Sequence, residues 1–405
     1  MSASAFPKLA AATIAAHVAD QMMLALLPLI LVAAGYGATT ISTVVAAHAA
    51  AWLLVSLPVG ALADRLSRRT IMMAGGATML FGSALGGGAS AYSLATPWVL
   101  GVAAFCIASG VVMLVLAVFA LLPRLVDRTR ISSANAALEF GRAVTCIAAP
   151  LLAAQLVAQR AGTLGFAIAF AGGLVALVAS RLLPKEPTAP AATLSIVQSI
   201  REGAAFVAGE PLLRAIALCA MAWNSAFFAL TAVFAAYAKE ELGMSIEATG
   251  MAWSVYGAGL LLGSLTAPAM IARLPTGAMF VFGPLSSGLG VAAMVAFAGR
   301  GTSWPVLLGF FCLGFGPMTW LVLQTSARQL VTPNALLGRV GATISTAIYG
   351  VRPIGALMAG LIAGQFGLQA AMILAAALFM LSAIAMLFSR AARLRELPKP
   401  ASGQN

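Results

Sequence analysis

GALADRLSRRTIM, residues Gly60–Met72, places one Asp and three Arg in a short turn between two long apolar segments. Each apolar segment is long enough to cross a bilayer as a helix, which takes about 20 residues. A turn this short between two such helices returns the chain to the same face of the membrane. Because Lys and Arg concentrate in cytoplasmic loops, the charges of the turn indicate which face that is.

The composition indicates that most of the chain is surrounded by lipid. Of its 405 residues, 61% are hydrophobic and only 8% are charged, whereas a soluble domain carries roughly 25% charged residues. The apolar runs are long, continuous and rich in Ala, Leu, Gly and Val, unlike the alternating segments of about ten residues in a membrane β-barrel. We therefore predict an all-α membrane protein.

Breaks in the apolar runs at Gly, Pro and charge clusters predict twelve transmembrane helices. The predicted spans are 9–33, 41–63, 70–91, 97–122, 134–158, 163–183, 212–236, 247–272, 277–298, 304–327, 338–362 and 367–389. This layout divides the chain into an N-terminal six-helix bundle (1–183), a cytoplasmic connector with a short amphipathic helix (184–211), a C-terminal six-helix bundle (212–390) and a cytoplasmic tail (391–405).

Positive charge falls almost entirely in the loops on one side of these spans. Only Arg160, Lys239 and Arg300 lie in loops on the other side, among 23 basic residues. This asymmetry predicts that both termini are cytoplasmic and that the protein is a multi-pass protein of the inner (plasma) membrane. The basic residues are dispersed rather than gathered in a stripe, so the formal charge of +12 does not indicate nucleic-acid binding.

The two halves show a distant parallel repeat. RLVDRTRISSANAAL (124–138) precedes the fifth predicted helix, and QLVTPNALLGRVGAT (329–343) precedes the eleventh. Each segment has a Leu-Val pair, a polar turn and a helix start of small residues. Such a repeat predicts two pseudo-symmetric bundles that move about a central site.

The opening turn resembles the signature loop of the major facilitator superfamily, G-x-L-A-D-R-x-G-R-[KR]-x-x-[hydrophobic]. Ser67 stands where that pattern has its second Gly. The run VADQMMLALLPLIL in the first helix and the turns SSANAAL and LLGRVGA resemble the branch that contains the enterobactin exporter and the macrolide efflux pumps. The matching positions of the loop are Gly60, Leu62, Ala63, Asp64, Arg65, Arg68, Arg69 and Met72.

This resemblance implies the facilitator fold, transport by alternating access, and a monomer. It also implies that Gly60, Asp64, Arg65, Arg68 and Arg69 form a gating loop that latches one half against the other in the outward-open state. Because such a latch must open, each of its pairs is expected to contribute about 1 kcal/mol. The simpler role of the three arginines is to fix topology, so Asp64 is the residue to which gating is assigned.

Ionisable side chains at membrane depth are costly and mark functional sites. His17, Asp20 and Gln21 fall on one face of the first helix, which must turn toward the bundle interior. We predict that Asp20 and His17 take part in proton coupling, with a structural pair between helices as the alternative. His48 on the second helix lies either in the substrate cavity or at a helix–helix contact.

Glu139 and Arg142 lie one turn apart on the fifth helix. One interpretation is that they neutralise each other, and another is that Glu139 is an interfacial residue near the cytoplasmic end of the helix. The third is that Glu139 carries protons while Arg142 faces the substrate cavity. Arg352 in the eleventh helix needs a partner, which could be Glu139, Asp20 or an anionic substrate bound bidentately.

Three polar or aromatic residues of the C-terminal half, Trp223, Asn224 and Tyr256, are candidates for the cavity wall, with packing as the alternative. Pro150 and Pro353 are predicted to bend the fifth and eleventh helices.

No pattern of catalytic residues indicates an enzyme. The sequence has no Gly-Lys-Ser/Thr phosphate loop, its four cysteines are not at metal-ligand spacing, and both histidines lie in predicted spans. We therefore predict no metal and no cofactor.

The predicted function is proton-coupled export of a small amphiphilic drug or siderophore-like metabolite. Its partners would be the small-molecule substrate, protons and the lipid bilayer. The first alternative is a symporter or uniporter that takes up an organic anion or sugar. A membrane enzyme or a non-transporting sensor is the second alternative.

Overall fold

A computed structural model describes residues 5–63, 66–126, 131–184, 196–298, 304–333 and 336–397. Within these ranges the chain forms α-helices and a short 3-10 helix at Arg390–Arg393, and no strand. The helices are α1 (Ala5–Ala33), α2 (Ala38–Ala63), α3 (Arg68–Ala91), α4 (Pro97–Leu125), α5 (Ile131–Ala158), α6 (Gly162–Arg181), α7 (Ile196–Gly209), α8 (Pro211–Glu240), α9 (Ile246–Arg273), α10 (Thr276–Ala296), α11 (Trp304–Val331), α12 (Leu337–Phe366) and α13 (Leu368–Leu387).

Twelve helices of the described ranges, all except α7, are long and apolar enough to cross a membrane. This confirms the prediction of twelve transmembrane helices. A helix satisfies its backbone hydrogen bonds internally, which is the requirement for a segment surrounded by lipid. Helices α12 and α13 are separated by Gly367 alone, whose φ of 88° is a conformation that favours glycine.

The chain divides into two compact units, here called unit 1 and unit 2. Unit 1 comprises Met1–Ala192 and Gly243–Ser254, and unit 2 comprises Thr193–Leu242 and Val255–Asn405. The division falls within α9, so the first turns of that helix belong to the same unit as α1–α6.

Unit 1 is held together by close helix packing at small residues. Helix α3 packs against α4 and α6, and α1 packs against α5 and α6. A Cβ atom added to Gly75 of α3 would lie 2.6 Å from the carbonyl oxygen of Gly110 on α4. Small residues of this kind allow helix backbones to approach closely where lipid supplies no hydrophobic drive for association.

In unit 2, helix α8 packs against both α12 and α13, and α10 packs against α11 and α13. The connector helix α7 lies where the sequence pattern predicts an amphipathic helix. Its Glu202 forms an ion pair with Arg339 of α12. Val207 of α7 is buried in a cluster with Val340 and Ile344 of α12, so charge and apolar packing together fasten the connector to unit 2.

Ser67, the residue that departs from the family pattern, caps the N-terminus of α3. Its backbone is extended, and its hydroxyl accepts a hydrogen bond from the backbone N–H of Thr70 at 3.1 Å. Serine is among the preferred N-cap residues because it satisfies one of the unpaired amides of the first turn. The substitution of Gly by Ser at this position therefore has a local structural reason.

We expect Ser67→Ala to destabilise the start of α3 by about 1 kcal/mol, because the cap hydrogen bond is lost. Ser67→Gly is the matched control and should cost only a few tenths of a kcal/mol. Hydrogen exchange of the Arg68–Ile71 amides in purified protein measures the stability of the start of α3 in both variants. Equal protection in the alanine variant and the wild type would show that the cap contributes nothing.

Candidate functional site

A buried polar cluster in unit 1 centres on Asp20 of α1. Nε2 of His48, on α2, lies 3.2 Å from Oδ1 of Asp20. The amide of Gln21 donates to Oδ2 of Asp20 at 3.1 Å, and Sγ of Cys146 on α5 donates to Oε1 of Gln21 at 3.5 Å. Three helices therefore contribute side chains to one connected polar group.

The pair of Asp20 and His48 is close but incompletely satisfied. The two atoms at 3.2 Å are within ion-pair distance, and both residues are buried. Nδ1 of His48 makes no hydrogen bond to any residue in the described ranges, although His48 is only 3% exposed. Buried polar groups with a purely structural role are normally fully hydrogen-bonded, so this pair has the features of a functional site.

The same cluster extends along α1 and α5 through His17. Nε of Arg142 donates to Oε2 of Glu139 at 2.8 Å within α5, so these two residues do pair with each other. His17 is half-buried and interacts electrostatically with Arg142, Asp20 and Glu139.

The charge of this cluster favours a cation. With both histidines neutral, the cluster contains two carboxylates, the buried one of Asp20 and the exposed one of Glu139, and one guanidinium, that of Arg142, which pairs with Glu139. The cluster then carries a net negative charge, and protonation of either histidine or either acid offsets it. The proton is the cation that these residue types bind without further ligands.

Arg352 is the centre of a second cluster, in unit 2. Its Nε donates to Oδ1 of Asn224 on α8 at 2.9 Å. Its guanidinium carbon lies 5.1 Å from the ring centroid of Phe228 and 4.6 Å from that of Tyr349. Both distances are within the range of cation–π attraction, which offsets part of the cost of burying the charge.

Aromatic rings continue from this cluster along α8. Trp223 stacks on Phe227 with ring centroids 5.2 Å apart, and Phe227 also contacts the ring of Tyr256 at 5.5 Å. The indole N–H of Trp223 donates to the hydroxyl of Ser287 at 3.0 Å. The result is a surface that combines a fixed guanidinium with several flat apolar faces.

Two aromatic residues of this cluster, Phe228 and Tyr349, were not predicted from the sequence. Phe228 lies four residues after Asn224, and Tyr349 lies three residues before Arg352, so helical spacing could have indicated both. Arg328, one residue beyond the predicted span 304–327, lies in the last turn of α11 and interacts electrostatically with Tyr349.

The predicted gating loop is described only in part. Asp64 and Arg65 lie outside the described residues, and Gly60 lies in the last turn of α2. Arg68 is buried at the start of α3, and its Nε and Nη1 make no hydrogen bond within the described ranges. Arg69 is half-buried.

The two predicted helix-bending prolines lie inside helices, Pro150 in α5 and Pro353 in α12. In unit 1, the hydroxyl of Ser254 in α9 donates to the carbonyl of Ile147, three residues before Pro150, at 2.8 Å. No group of three His, Cys, Asp or Glu residues in the described part of the chain is arranged to hold a metal ion.

Solved structures of transporters share this arrangement of helices. A POT family transporter in complex with a thioalcohol conjugated peptide superposes with a TM-score of 0.77 at 15% identity, covering 95% of each chain. A bacterial homolog of the human lysosomal transporter Spinster superposes with a TM-score of 0.76 at 13% identity, covering 99% of this chain and 100% of that one. The fold is therefore that of a major facilitator transporter, as predicted.

The chain belongs to the transmembrane secretion effector family, whose model matches residues 1–402. It is also 27% identical over 232 residues to the enterobactin exporter EntS of Escherichia coli O1:K1 / APEC, covering 56% of this chain and 53% of the relative. The same figures apply to EntS of Escherichia coli O127:H6 (strain E2348/69 / EPEC). The chain thus spans about half the length of these curated relatives. With twelve apolar helices in the described ranges, the chain is a multi-pass membrane protein, and its family and these relatives are described as secretion effectors and exporters.

Proposed function

We propose that the protein is a proton-coupled exporter of a small amphiphilic metabolite or drug, working as a monomer by alternating access. The observation that carries proton coupling is the incompletely satisfied pair of Asp20 and His48 within a net-acidic cluster. The name of its relative, an enterobactin exporter, supports export and a siderophore-like substrate. The basic side of the membrane, with both termini, is assigned to the cytoplasm, and the membrane to the inner membrane.

In this proposal, Asp20 binds the transported proton and His48 and His17 exchange it. Gln21 holds the second carboxylate oxygen of Asp20. Glu139 serves as a second acid whose charge Arg142 offsets. Protonation would remove the buried charge of Asp20. If burying that charge costs more free energy in one conformation of the transporter than in the other, protonation shifts the equilibrium between the two conformations.

The substrate is assigned to the cluster of unit 2. Arg352 would recognise an anionic or chelating group, because a guanidinium binds carboxylates and related oxyanions with charge-assisted hydrogen bonds. The rings of Trp223 and Tyr256 would contact its apolar part. Asp64, with the arginines of its loop, is assigned to the gating latch.

Transport by the purified protein in liposomes with an imposed pH gradient tests this function. The panel should contain an aromatic carboxylate or catecholate, a lipophilic cation, a neutral macrolide and a sugar, and an internal pH dye should report proton movement. We expect the aromatic anion to move against the proton flux. Substrate movement with the proton flux would indicate the uptake alternative, and flux that ignores the gradient would remove proton coupling.

A further inference from the structure

A cavity of about 590 Å³ lies in unit 2, away from both polar clusters. One wall is the turn from α9 to α10, including Arg273 and Pro275. The other wall is the end of the 3-10 helix and the residues that follow it, including Arg393, Arg395 and Glu396. Two segments far apart in sequence therefore build this pocket.

The tail that forms the second wall is fixed to the start of α10. The backbone N–H of Gly277 donates to the carbonyl of Leu394 at 2.7 Å, and that of Thr276 donates to Arg395 at 3.3 Å. A Cβ atom on Gly277 would lie only 2.1 Å from the carbonyl oxygen of Ala392, so the two backbones are in direct contact. The first amides of α10 are thus occupied by the tail, and a ligand must be held by side chains.

The side chains that remain are strongly basic. Arg273, Arg393 and Arg395 are all exposed, and none of them forms an ion pair with another residue in the described ranges. Glu396 is the single acid among the lining residues. Three guanidinium groups around one cavity match an oxyanion, since the planar guanidinium forms paired hydrogen bonds with phosphate oxygens.

The cavity also lies at the edge of the apolar part of the protein. Arg273 is the last residue of α9, a transmembrane helix, and the next residue, Leu274, is 46% exposed. Leu397, from the opposite wall, packs against the core of unit 2. This side is the one that the distribution of basic loops assigns to the cytoplasm.

We propose that this cavity binds the phosphate of an anionic phospholipid from the adjacent leaflet. The three arginines would hold the headgroup, while the acyl chains leave along the exposed Leu274. Basic residues at the membrane boundary attract anionic lipids, and a cavity that concentrates three of them adds site-specific hydrogen bonds to that attraction. The ligand is distinct from the transported substrate.

Native mass spectrometry of the purified full-length chain, titrated with phosphatidylglycerol or phosphatidylcholine, tests the site. We expect phosphatidylglycerol to bind tightly and the combined variant Arg273→Gln, Arg393→Gln, Arg395→Gln to bind it about 30-fold more weakly. Phosphatidylcholine binding should be weak in both proteins. The replaced side chains are exposed, and an unchanged thermal unfolding temperature confirms that the variant is folded.

The matched control removes the same charge elsewhere on the basic side, with Arg181→Gln, Arg201→Gln and Arg214→Gln. All three residues are exposed and none lines the cavity. The control should keep wild-type lipid binding, and an equal loss would overturn the site in favour of diffuse attraction. Displacement of the lipid by millimolar inorganic phosphate would overturn the lipid assignment and leave a site for free phosphate.

Discussion

Asp20→Asn is expected to lower gradient-driven transport by about 100-fold, the scale on which losing a positioned proton-transfer group acts. Asparagine has nearly the shape of aspartate and can still accept from Gln21, but it cannot bind and release a proton. The carboxylate also lies 3.2 Å from His48, so the variant removes the charge that attracts a proton to that ring. The assay is substrate flux in liposomes with and without a pH gradient.

The loss should be confined to the coupled reaction. Exchange of labelled for unlabelled substrate at equal pH on both sides should persist in Asp20→Asn, because it requires no net proton movement. Glu241→Gln, which removes a carboxylate outside the cluster, serves as the control and should transport normally. Full gradient-driven flux in Asp20→Asn would contradict the proposed role.

A double-mutant cycle tests whether His48 and Asp20 contribute to gradient-driven transport together or independently. His48→Gln alone should slow gradient-driven transport, and the double variant should be no slower than Asp20→Asn, because residues that act as a unit are non-additive. Additive losses would show that His48 acts independently of Asp20.

The twelve helices were predictable because the rule that creates them is local. A run of about 20 apolar residues has to be helical in lipid, whatever surrounds it. The ends of the helices depend on details that hydropathy does not record. Helix α12, for example, continues to Phe366 rather than ending near residue 362, because the residue that stops it is Gly367 in a left-handed conformation.

The candidate site was predictable only within a single helix. Glu139 and Arg142 are three residues apart, and their pairing follows from helical spacing. Asp20 and His17 share a face by the same rule, yet the side chain opposite Asp20 is His48 from the next helix. Spacing along the chain states which residues share a face, but it does not state which helix that face meets.

The surroundings of Arg352 illustrate the same limit in a different way. An isolated cation in a span suggested an acidic partner or an anion, whereas the structure supplies the neutral amide of Asn224 and the faces of two rings. Such a setting lowers the cost of burying the charge. No count of acidic residues along the chain would have predicted this amide and these two rings beside the guanidinium.

Arg352→Met is expected to raise the KM for an anionic aromatic substrate by about 30-fold, which corresponds to roughly 2 kcal/mol for a lost charge-assisted contact. Methionine is flexible and apolar, so it can occupy the slot between Phe228 and Tyr349 with little effect on packing. Initial rates across a substrate series in liposomes give KM and the maximal rate separately.

The variants Arg352→Lys and Asn224→Ala distinguish the effect of the positive charge from the effect of the position of the guanidinium. Lysine keeps the charge but loses the planar group that stacks between two rings, so its KM should fall between those of the wild type and Arg352→Met. Asn224→Ala removes the hydrogen bond that orients the guanidinium and should give a smaller rise. A neutral substrate should be insensitive to all three changes. If the anion and the neutral compound lose affinity equally, Arg352 supports the packing of unit 2 and does not recognise the substrate's charge.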